Sequence, residues 1–353
     1  MLAVSGRRAG LAMWAVDRYL DQDTREAVLG GVCLGASRGH PRAAMQAAVE
    51  QLDPKEQAAV VYGGGLENDP DLLETLTLRR PLLGNSPEQL RALRTPRRFF
   101  ALLQRLGIPS PKVRFDPPPN PKGWLLKAAL SEGGLGVRTA ESGRRPPLGY
   151  YQQHIKGPVC SVLFLADGHR HLEIGFNTLW SLEVGDRPFL YAGAANFTRL
   201  SLSIRERVRA WLPPLVTATG LVGLNSLDFV VTTDGIPLVL EINPRPPATL
   251  GLYDADVPQG LLRQHLQAVA GTLPGTAQIP AFRAQHVVLA PKALITTDET
   301  SWPPWCQDRP GPKTRIEAQQ PFCTVVAQGL SPGETLRRLR HRLKIINHRL
   351  NPF

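Results

Sequence analysis

Cysteine is scarce in this chain. Among 353 residues there are four, Cys33, Cys160, Cys306 and Cys323, and none stands near enough to another for a CxxC redox pair or a local zinc site. They are read as reduced, structural thiols. Long apolar runs are also missing: no uncharged apolar stretch approaches the ~20 residues that cross a bilayer, and the opening MLAVSGRRAG lacks the apolar core of a secretory signal. The expectation is a cytoplasmic enzyme with no membrane partner. Internal repeats and low-complexity tracts are absent too.

Acids are outnumbered. Thirty Asp and Glu face 41 Lys and Arg, a formal net charge of +11, which suits nucleic acid, an anionic membrane face or small anionic substrates and does not choose among them. Part of the excess sits near the end, in Arg337, Arg338, Arg340, Arg342, Lys344 and Arg349, with Glu334 the one acid nearby. On the same segment Leu336, Leu339, Leu343, Ile346 and Leu350 recur at steps of three and four, one apolar face of a helix. A terminal helix packing on its own domain is expected, with a polyanion contact the alternative, so nucleic acid is not the expected partner.

What is present is 42% hydrophobic content with 32 Gly and 33 Pro, enough for two or three packed units rich in turns. Residues 1–93 alternate short apolar runs (Ala27 to Leu34, Ala58 to Tyr62) with helix-like stretches (Arg42 to Leu52, Asp71 to Leu78), which predicts a small open α/β unit. Between them lies Tyr62-Gly63-Gly64-Gly65-Leu66-Glu67-Asn68-Asp69-Pro70, a glycine cluster that either approaches a ligand or simply turns. Pro96 to Leu106 is an amphipathic helix with proline at its first position, stopped by Gly107 to Pro111. Lys112 to Phe115 and Gly123 to Ala129 read as strands, joined by the exposed proline-rich Pro117 to Pro121. Val159 to Ala166 and His171 to Phe176 flank the hairpin signal Asp167-Gly168, and Ser203 to Leu215 reads as a helix. From 276 onward, strand-like pieces (His286 to Ala290, Cys323 to Ala327) around a Trp/Pro-rich loop at Ser301 to Trp305 predict a β-rich extension before the terminal helix.

Three constellations carry chemistry. In the hairpin Asp228 … Glu241-Ile242-Asn243-Pro244-Arg245, residues two apart on a strand point the same way, so Glu241 and Asn243 share a face and the paired strand can set Asp228 beside them. Such hard oxygens suit Mg²⁺, which takes the rest of its octahedron from water and substrate phosphates. Arg245 adds a planar fork suited to a phosphate or acyl-phosphate oxyanion. An ordinary hairpin with exposed acids would share the spacing; the apolar setting LVLEIN, where a buried acid needs a cation, weighs against it.

Second, Lys127 precedes Gly133-Gly134-Leu135-Gly136, where backbone N–H groups can wrap phosphate oxygens beside a lysine point charge. A surface turn is the alternative, and the absence of GK[ST] excludes a P-loop. Third, Tyr150-Tyr151-Gln152-Gln153-His154-Ile155-Lys156-Gly157 is a strand running into a turn between the two halves, read either as a hinge whose backbone meets an adenine or as a plain edge strand.

The order of these parts, together with the helix ending in GIPSP, resembles the ATP-grasp superfamily over residues 94–275. YGGGLENDP, PLLGNSPEQL and EINPRPPATL resemble its predicted ATP-dependent carboligases associated with tetrahydromethanopterin-linked one-carbon metabolism. The tyramine–glutamate ligases of methanofuran synthesis are more distant relatives. The resemblance implies an α/β (α+β) ATP-grasp fold: a pre-ATP-grasp unit at 1–93, a two-subdomain ATP-grasp core at 94–275 and a β-rich extension with a basic helix at 276–353. It implies that Lys127, Gly133, Gly134 and Gly136 cover the phosphates of ATP, that Gln152, Gln153 and Ile155 line the adenine, and that Asp228, Glu241 and Asn243 bind Mg²⁺, with Mn²⁺ an alternative ion. Arg245, with Lys127, would steady the reacting phosphoryl group.

The activity so implied is MgATP-dependent joining of a small-molecule carboxylate to an amine through an acyl phosphate, in small-molecule or cofactor biosynthesis, by a chain for which a homodimer stays open. A non-catalytic ATP-binding regulatory protein and an ATP-dependent carboxylase are the alternatives. Glu67, Asn68, Asn196 and Arg199 are candidates beside the acceptor. Three departures stand out. Thr95-Pro96 occupy the place of a common Asp-Lys pair, leaving Arg97 or Arg98 to replace that lysine; Ser226 stands where a basic residue is common; and the first strand, around Ala15-Val16-Asp17, arrives early.

Overall fold

In the computed structural model, which describes residues 1–35, 42–141, 148–275, 281–297 and 301–350, the N-terminal unit is assembled from short pieces. Helix α1 (Leu2–Arg8), strand β1 (Trp14–Asp17), helix α2 (Gln22–Ala27) and strand β2 (Gly30–Cys33) come first, and β1 pairs with β2 in parallel. Helices α3 (Arg42–Leu52), α4 (Pro70–Leu76) and α5 (Pro87–Leu93) follow. Their starts are set locally: Asp69 accepts from Leu72 N ahead of Pro70, and Ser86 and Gln89 form a reciprocal capping box ahead of Pro87. The expected strand at Ala58 to Tyr62 is not built. Val60 makes one parallel bridge to Leu82, whose chain turns away into α5 before a ladder can extend.

Helix α6 (Pro96–Arg105) starts on its proline and buries Phe99, Phe100, Leu102 and Leu103, the apolar stripe legible in the sequence. A four-stranded antiparallel sheet follows, of β3 (Val113–Arg114), β4 (Trp124–Lys127), β5 (Val137–Thr139) and β6 (Tyr150–Gln153), ordered β3-β6-β4-β5.

Then come β7 (Val159–Asp167), β8 (His171–Val184), β9 (Arg187–Ala195), α7 (Leu202–Thr219), β10 (Val222–Val231), β11 (Pro237–Asn243) and α8 (Gly260–Val269). The chain continues through β12 (Phe282–Leu289), β13 (Leu294–Ile295), β14 (Cys306–Gln307), β15 (Arg315–Ile316), β16 (Pro321–Gly329) and α9 (Pro332–Leu350). Eight of these strands form one antiparallel sheet, ordered β11-β10-β7-β8-β9-β12-β16-β14.

Alternation divides this sheet into a core face and a site face. On β10, Leu227, Phe229 and Val231 pack into the core that α6 and α7 complete, whereas Ser226, Asp228 and Val230 turn to the other side and line a cleft. Burying the first set therefore fixes where the second points. Helix α7 runs on through Pro213 and Pro214 to Thr219, four residues beyond the expected end at Leu215, and is capped by Gly220 in the left-handed region.

The C-terminal residues continue the same sheet, because β12 pairs with β9. Helix α9 covers their core with Leu339 and Ile346, while Leu336, Leu343 and Leu350 pack beside them, so the expected apolar face is the one used. The expected boundary at 276 falls outside the described residues. Among those described, no helix is long and apolar enough to cross a membrane.

Candidate functional site

A cleft of about 550 Å³ lies between the four-stranded sheet and the site face of the large sheet. Lys127 ends β4 and projects into it, with Nζ 3.3 Å from Gln152 Oε1 on the neighbouring β6. Burial alone would pull its ammonium down, but Tyr150 and the Glu241 carboxylate outweigh that and hold its pKa above the ordinary value. A lysine held in its cationic form thus faces the acids across the cleft.

The glycine-rich loop after β4 is docked on β9. Tyr191 N donates to Gly133 O at 2.9 Å, and Gly134, at φ +77°, lies so close that an added Cβ would sit 1.8 Å from Phe189 O. Glycine at 134 is required by both conformation and space. Gly133 and Gly134 line the cleft, and Gly136 does not. Its carbonyl accepts from Ala128 N, and a Cβ there would meet Ser131 Oγ at 2.3 Å, so Gly136 closes the base of the loop.

Asp228 and Glu241 are register partners across β10 and β11, next to a bulge that interrupts the pairing at Asp228/Phe229. Asn243, opposite Ser226, donates through Nδ2 to Asp228 Oδ2 at 3.2 Å and to Ser226 Oγ at 3.3 Å, and turns its Oδ1 to Arg245 Nη2 at 3.5 Å. Two carboxylates therefore converge with an amide whose oxygen joins them on a simple amide flip. Among the described residues no group of three or more His, Cys, Asp or Glu side chains could hold a metal, so a divalent ion here depends on that mixed set. Burial, then the Glu241 carboxylate, raises Asp228 to about 7; Arg245 opposes them. Two acids crowded in this way are poised to exchange a proton for a cation. Ser226, the departure in the sequence, serves as a neutral support that donates to Asp228 Oδ1 at 3.4 Å.

Gln152, Gln153 and Ile155 all line the cleft, on β6 and the turn that crosses to β7. Gln152 stands on the lysine side, bound to Lys127. Arg245 also lines the cleft; its Nε donates to Glu67 of the N-terminal glycine cluster at 2.6 Å, its Nη1 to Pro246 O at 3.3 Å and its Nη2 to Asn243 Oδ1 at 3.5 Å, so each Nη keeps a second N–H. Burial lowers the guanidinium and Glu67, Glu132 and Glu241 raise it, with a net rise.

The arginine that reaches the cleft near the start of α6 is one that sequence reasoning passed over. Arg97 stacks 4.0 Å over the Phe115 ring and, like Arg98, is exposed and outside the cleft. Arg94, at the C-cap of α5, lines it instead, donating from Nη2 to Asn68 Oδ1 at 2.7 Å and to the carbonyls of Ser131 at 2.9 Å and Ala129 at 3.3 Å. A three-residue shift from the expected place hid it, although it was the remaining arginine beside Thr95-Pro96. Of the acceptor candidates, Glu67 and Asn68 reach the site through Arg245 and Arg94. Asn196 instead bonds to Leu252 O, Ala281 O and Arg283 N, and Arg199 is exposed outside the cleft.

Three buried polar atoms on the cleft wall have no protein partner: Gln152 Nε2, Arg94 Nε and Thr249 Oγ1. Each such atom left unpaired costs about 1–3 kcal/mol, so together they call for a polar occupant. A lysine and an arginine on one side and two acids with an amide on the other fit a polyphosphate held through a divalent cation.

Residues 97–249 match the family model of the ATP-grasp domain. The fold is the ATP-grasp fold. Among solved structures, the chain is similar to the biotin carboxylase–β,γ-ATP complex of Campylobacter jejuni, with a TM-score of 0.73 and 14% identity over 96% of this chain and 86% of that one. The biotin carboxylase domain dimer of Hydrogenobacter thermophilus 2-oxoglutarate carboxylase, solved with MgADP, ADP and bicarbonate, gives 0.75 and 12% over 97% and 86%. N5-carboxyaminoimidazole ribonucleotide synthetase from Thermotoga maritima gives 0.69 and 15% over 98% and 96%. No curated protein matches the sequence. At these identities the likeness concerns the ATP-grasp fold, with its large antiparallel sheet, across nearly the whole chain.

Proposed function

We propose that the chain is an MgATP-dependent ligase that activates a small carboxylate as an acyl phosphate and passes it to an amine. The observation that carries this reading is the convergence in one cleft of Lys127, the docked glycine loop and the Asp228–Glu241 pair, with Arg245 beside them. Asp228, Glu241 and Asn243 would hold Mg²⁺, which when bound neutralises phosphate charge and orients the oxygens in transfer. Lys127 and the N–H groups of Gly133 and Gly134 bind the phosphates, and Gln153 and Ile155 border the base. Arg94 and Gln152 contribute the donors that now lack partners. Arg245, immobilised by Glu67, presents its Nη groups to the oxyanion that grows as the carboxylate oxygen meets the phosphoryl group. The chemistry asks for positioning and charge compensation, and these residues supply both.

A second reading, an ATP-dependent carboxylase, is favoured by the carboxylases among the structural relatives. One assay separates the two. ADP release is followed with pooled carboxylic acids and hydroxylamine, and separately with bicarbonate alone. Acid-dependent hydroxamate supports the ligase; ADP release that needs only bicarbonate supports the carboxylase; tight ATP binding without ADP release under either condition removes both.

A further inference from the structure

Resting on the ligase reading, the geometry points to Glu132 as the group that receives the acceptor amine, in a subsite that Gly64 keeps open between Glu132 and Arg245. The glycine triplet supplies the first observation. Gly65 has φ +102° and needs to be glycine for its backbone, whereas neither Gly63 nor Gly64 is in the left-handed region. Conformation therefore does not explain Gly64. Space does: a Cβ there would lie 3.3 Å from Glu132 Oε2 and 3.5 Å from Arg245 Cζ, so a side chain at 64 would fill the gap between the acid and the guanidinium.

Glu132 itself supplies the second. It stands on the glycine loop and lines the cleft, and no hydrogen bond or ion pair to its carboxylate is formed among the described residues, although Arg245 feels its charge. Asp228 and Glu241 are the acids assigned to the divalent ion in the proposed function, and Glu67 is bound to Arg245. Glu132 is thus the cleft carboxylate left for a cationic ligand. The third is Thr249, 4% exposed, whose orphaned Oγ1 lines the same cleft and offers one more polar contact to an acceptor.

Charge and chemistry then fit a primary amine that arrives as an ammonium. Glu132 binds the ammonium and takes one of its protons, leaving a neutral amine. The nitrogen lone pair attacks the acyl carbon beside Arg245, the C–N bond forms and the C–O bond to phosphate breaks. Phosphate leaves with the electron pair and collects the second proton, and Glu132 returns the first to solvent. No redox partner is required.

The test uses the full chain with MgATP, a pool of C2 to C6 mono-, di- and aminocarboxylic acids, and two competing nucleophiles: ethylamine, cationic near neutral pH, and hydroxylamine, neutral there. The readout is the ratio of ethylamide to hydroxamate. Glu132→Gln is expected to lower that ratio about 100-fold, in the range of a lost general base. Glu132→Asp, which keeps the charge, is expected to restore it to within about tenfold of wild type, and Gly64→Ala to lower it by crowding the larger nucleophile. An unchanged ratio in Glu132→Gln overturns the inference, as does an equal fall in Glu132→Asp. Hydroxamate without any ethylamide from the wild type overturns the amine subsite while leaving ATP-driven activation standing. No product with either nucleophile removes the ligase reading and the inference with it.

Discussion

Glu67 and Arg245, 178 residues apart, meet in an ion pair of 2.6 Å, with the Glu67 side chain 1% and the Arg245 side chain 12% exposed. The pair joins the N-terminal glycine cluster to the exit of the acid-bearing hairpin. Tyr62 and Asn85 strengthen the junction by both reaching Pro244 O, at 3.1 and 3.0 Å. The N-terminal unit in this way braces the site from behind.

Breaking such a pair leaves a charge without its partner. Glu67→Gln is expected to cost about 2–4 kcal/mol, somewhat less than the loss of a fully isolated buried pair because Glu132 and Glu241 still face the guanidinium. Urea denaturation measures it. A change under about 0.5 kcal/mol would mean that the pair is dispensable to the fold.

Asp228, raised to about 7, sets a pH dependence. The folded protein retains a proton there that the unfolded chain releases near 3.8, so this stabilisation of the metal-free protein is complete below about 3.8 and is lost as pH rises through 7. On the proposed function, Mg²⁺ is expected to take the proton's place. Its effect on melting temperature is expected to be largest above pH 7, with affinity falling about tenfold per pH unit below. Thermal shifts with and without Mg²⁺, one pH unit either side of 7, decide this; equal shifts at both would contradict it.

Arg94 and Arg97 should behave in opposite ways. Arg94→Ala removes the donors that tie Asn68 and the glycine loop together, and is expected to weaken ATP binding roughly 10- to 100-fold, the scale of a charged hydrogen bond. Arg97→Ala loses an exposed contact with Phe115 and is expected to change affinity less than about twofold. Equilibrium dialysis of ATP compares them, and the reverse order would return the phosphate role to α6.

Gly133 and Gly134 separate strain from collision. Both have positive φ, yet a Cβ at 133 meets nothing within 4 Å while one at 134 strikes Phe189 O. Gly133→Ala should carry only the left-handed penalty of about 1–2 kcal/mol. Gly134→Ala should lift the loop off β9, exposing it to protease and lowering ATP affinity by more than about tenfold. Equal protease sensitivity in the two variants would show that docking on β9 does not hold the loop.

How legible the site was depended on whether chemistry lay within one hairpin. Asp228, Glu241 and Asn243 could be placed from strand alternation, since β10 and β11 are joined by a short turn. Lys127 could be placed at a strand end followed by glycines. Glu67 with Arg245, and Arg94 with Ser131, join separate elements across long loops, and no periodicity encodes such contacts. The same limit applied to Cys306 and Cys323. They looked unrelated by spacing but lie on the paired strands β14 and β16, and both are buried free thiols. The continuation of the large sheet into β12, β16 and β14 was hidden as well, because pairing between β9 and β12 is decided by packing rather than by either strand alone.

The central claim is that Lys127 and the Asp228–Glu241 pair hold MgATP between the two sheets, and calorimetric titration of ATP with and without Mg²⁺ tests it most directly. Wild type should bind with an affinity that Mg²⁺ raises strongly. Glu241→Gln, which removes charge at nearly constant volume, should keep its circular dichroism and lose the Mg²⁺ dependence. An affinity equally sensitive to Mg²⁺ in both proteins would contradict the account.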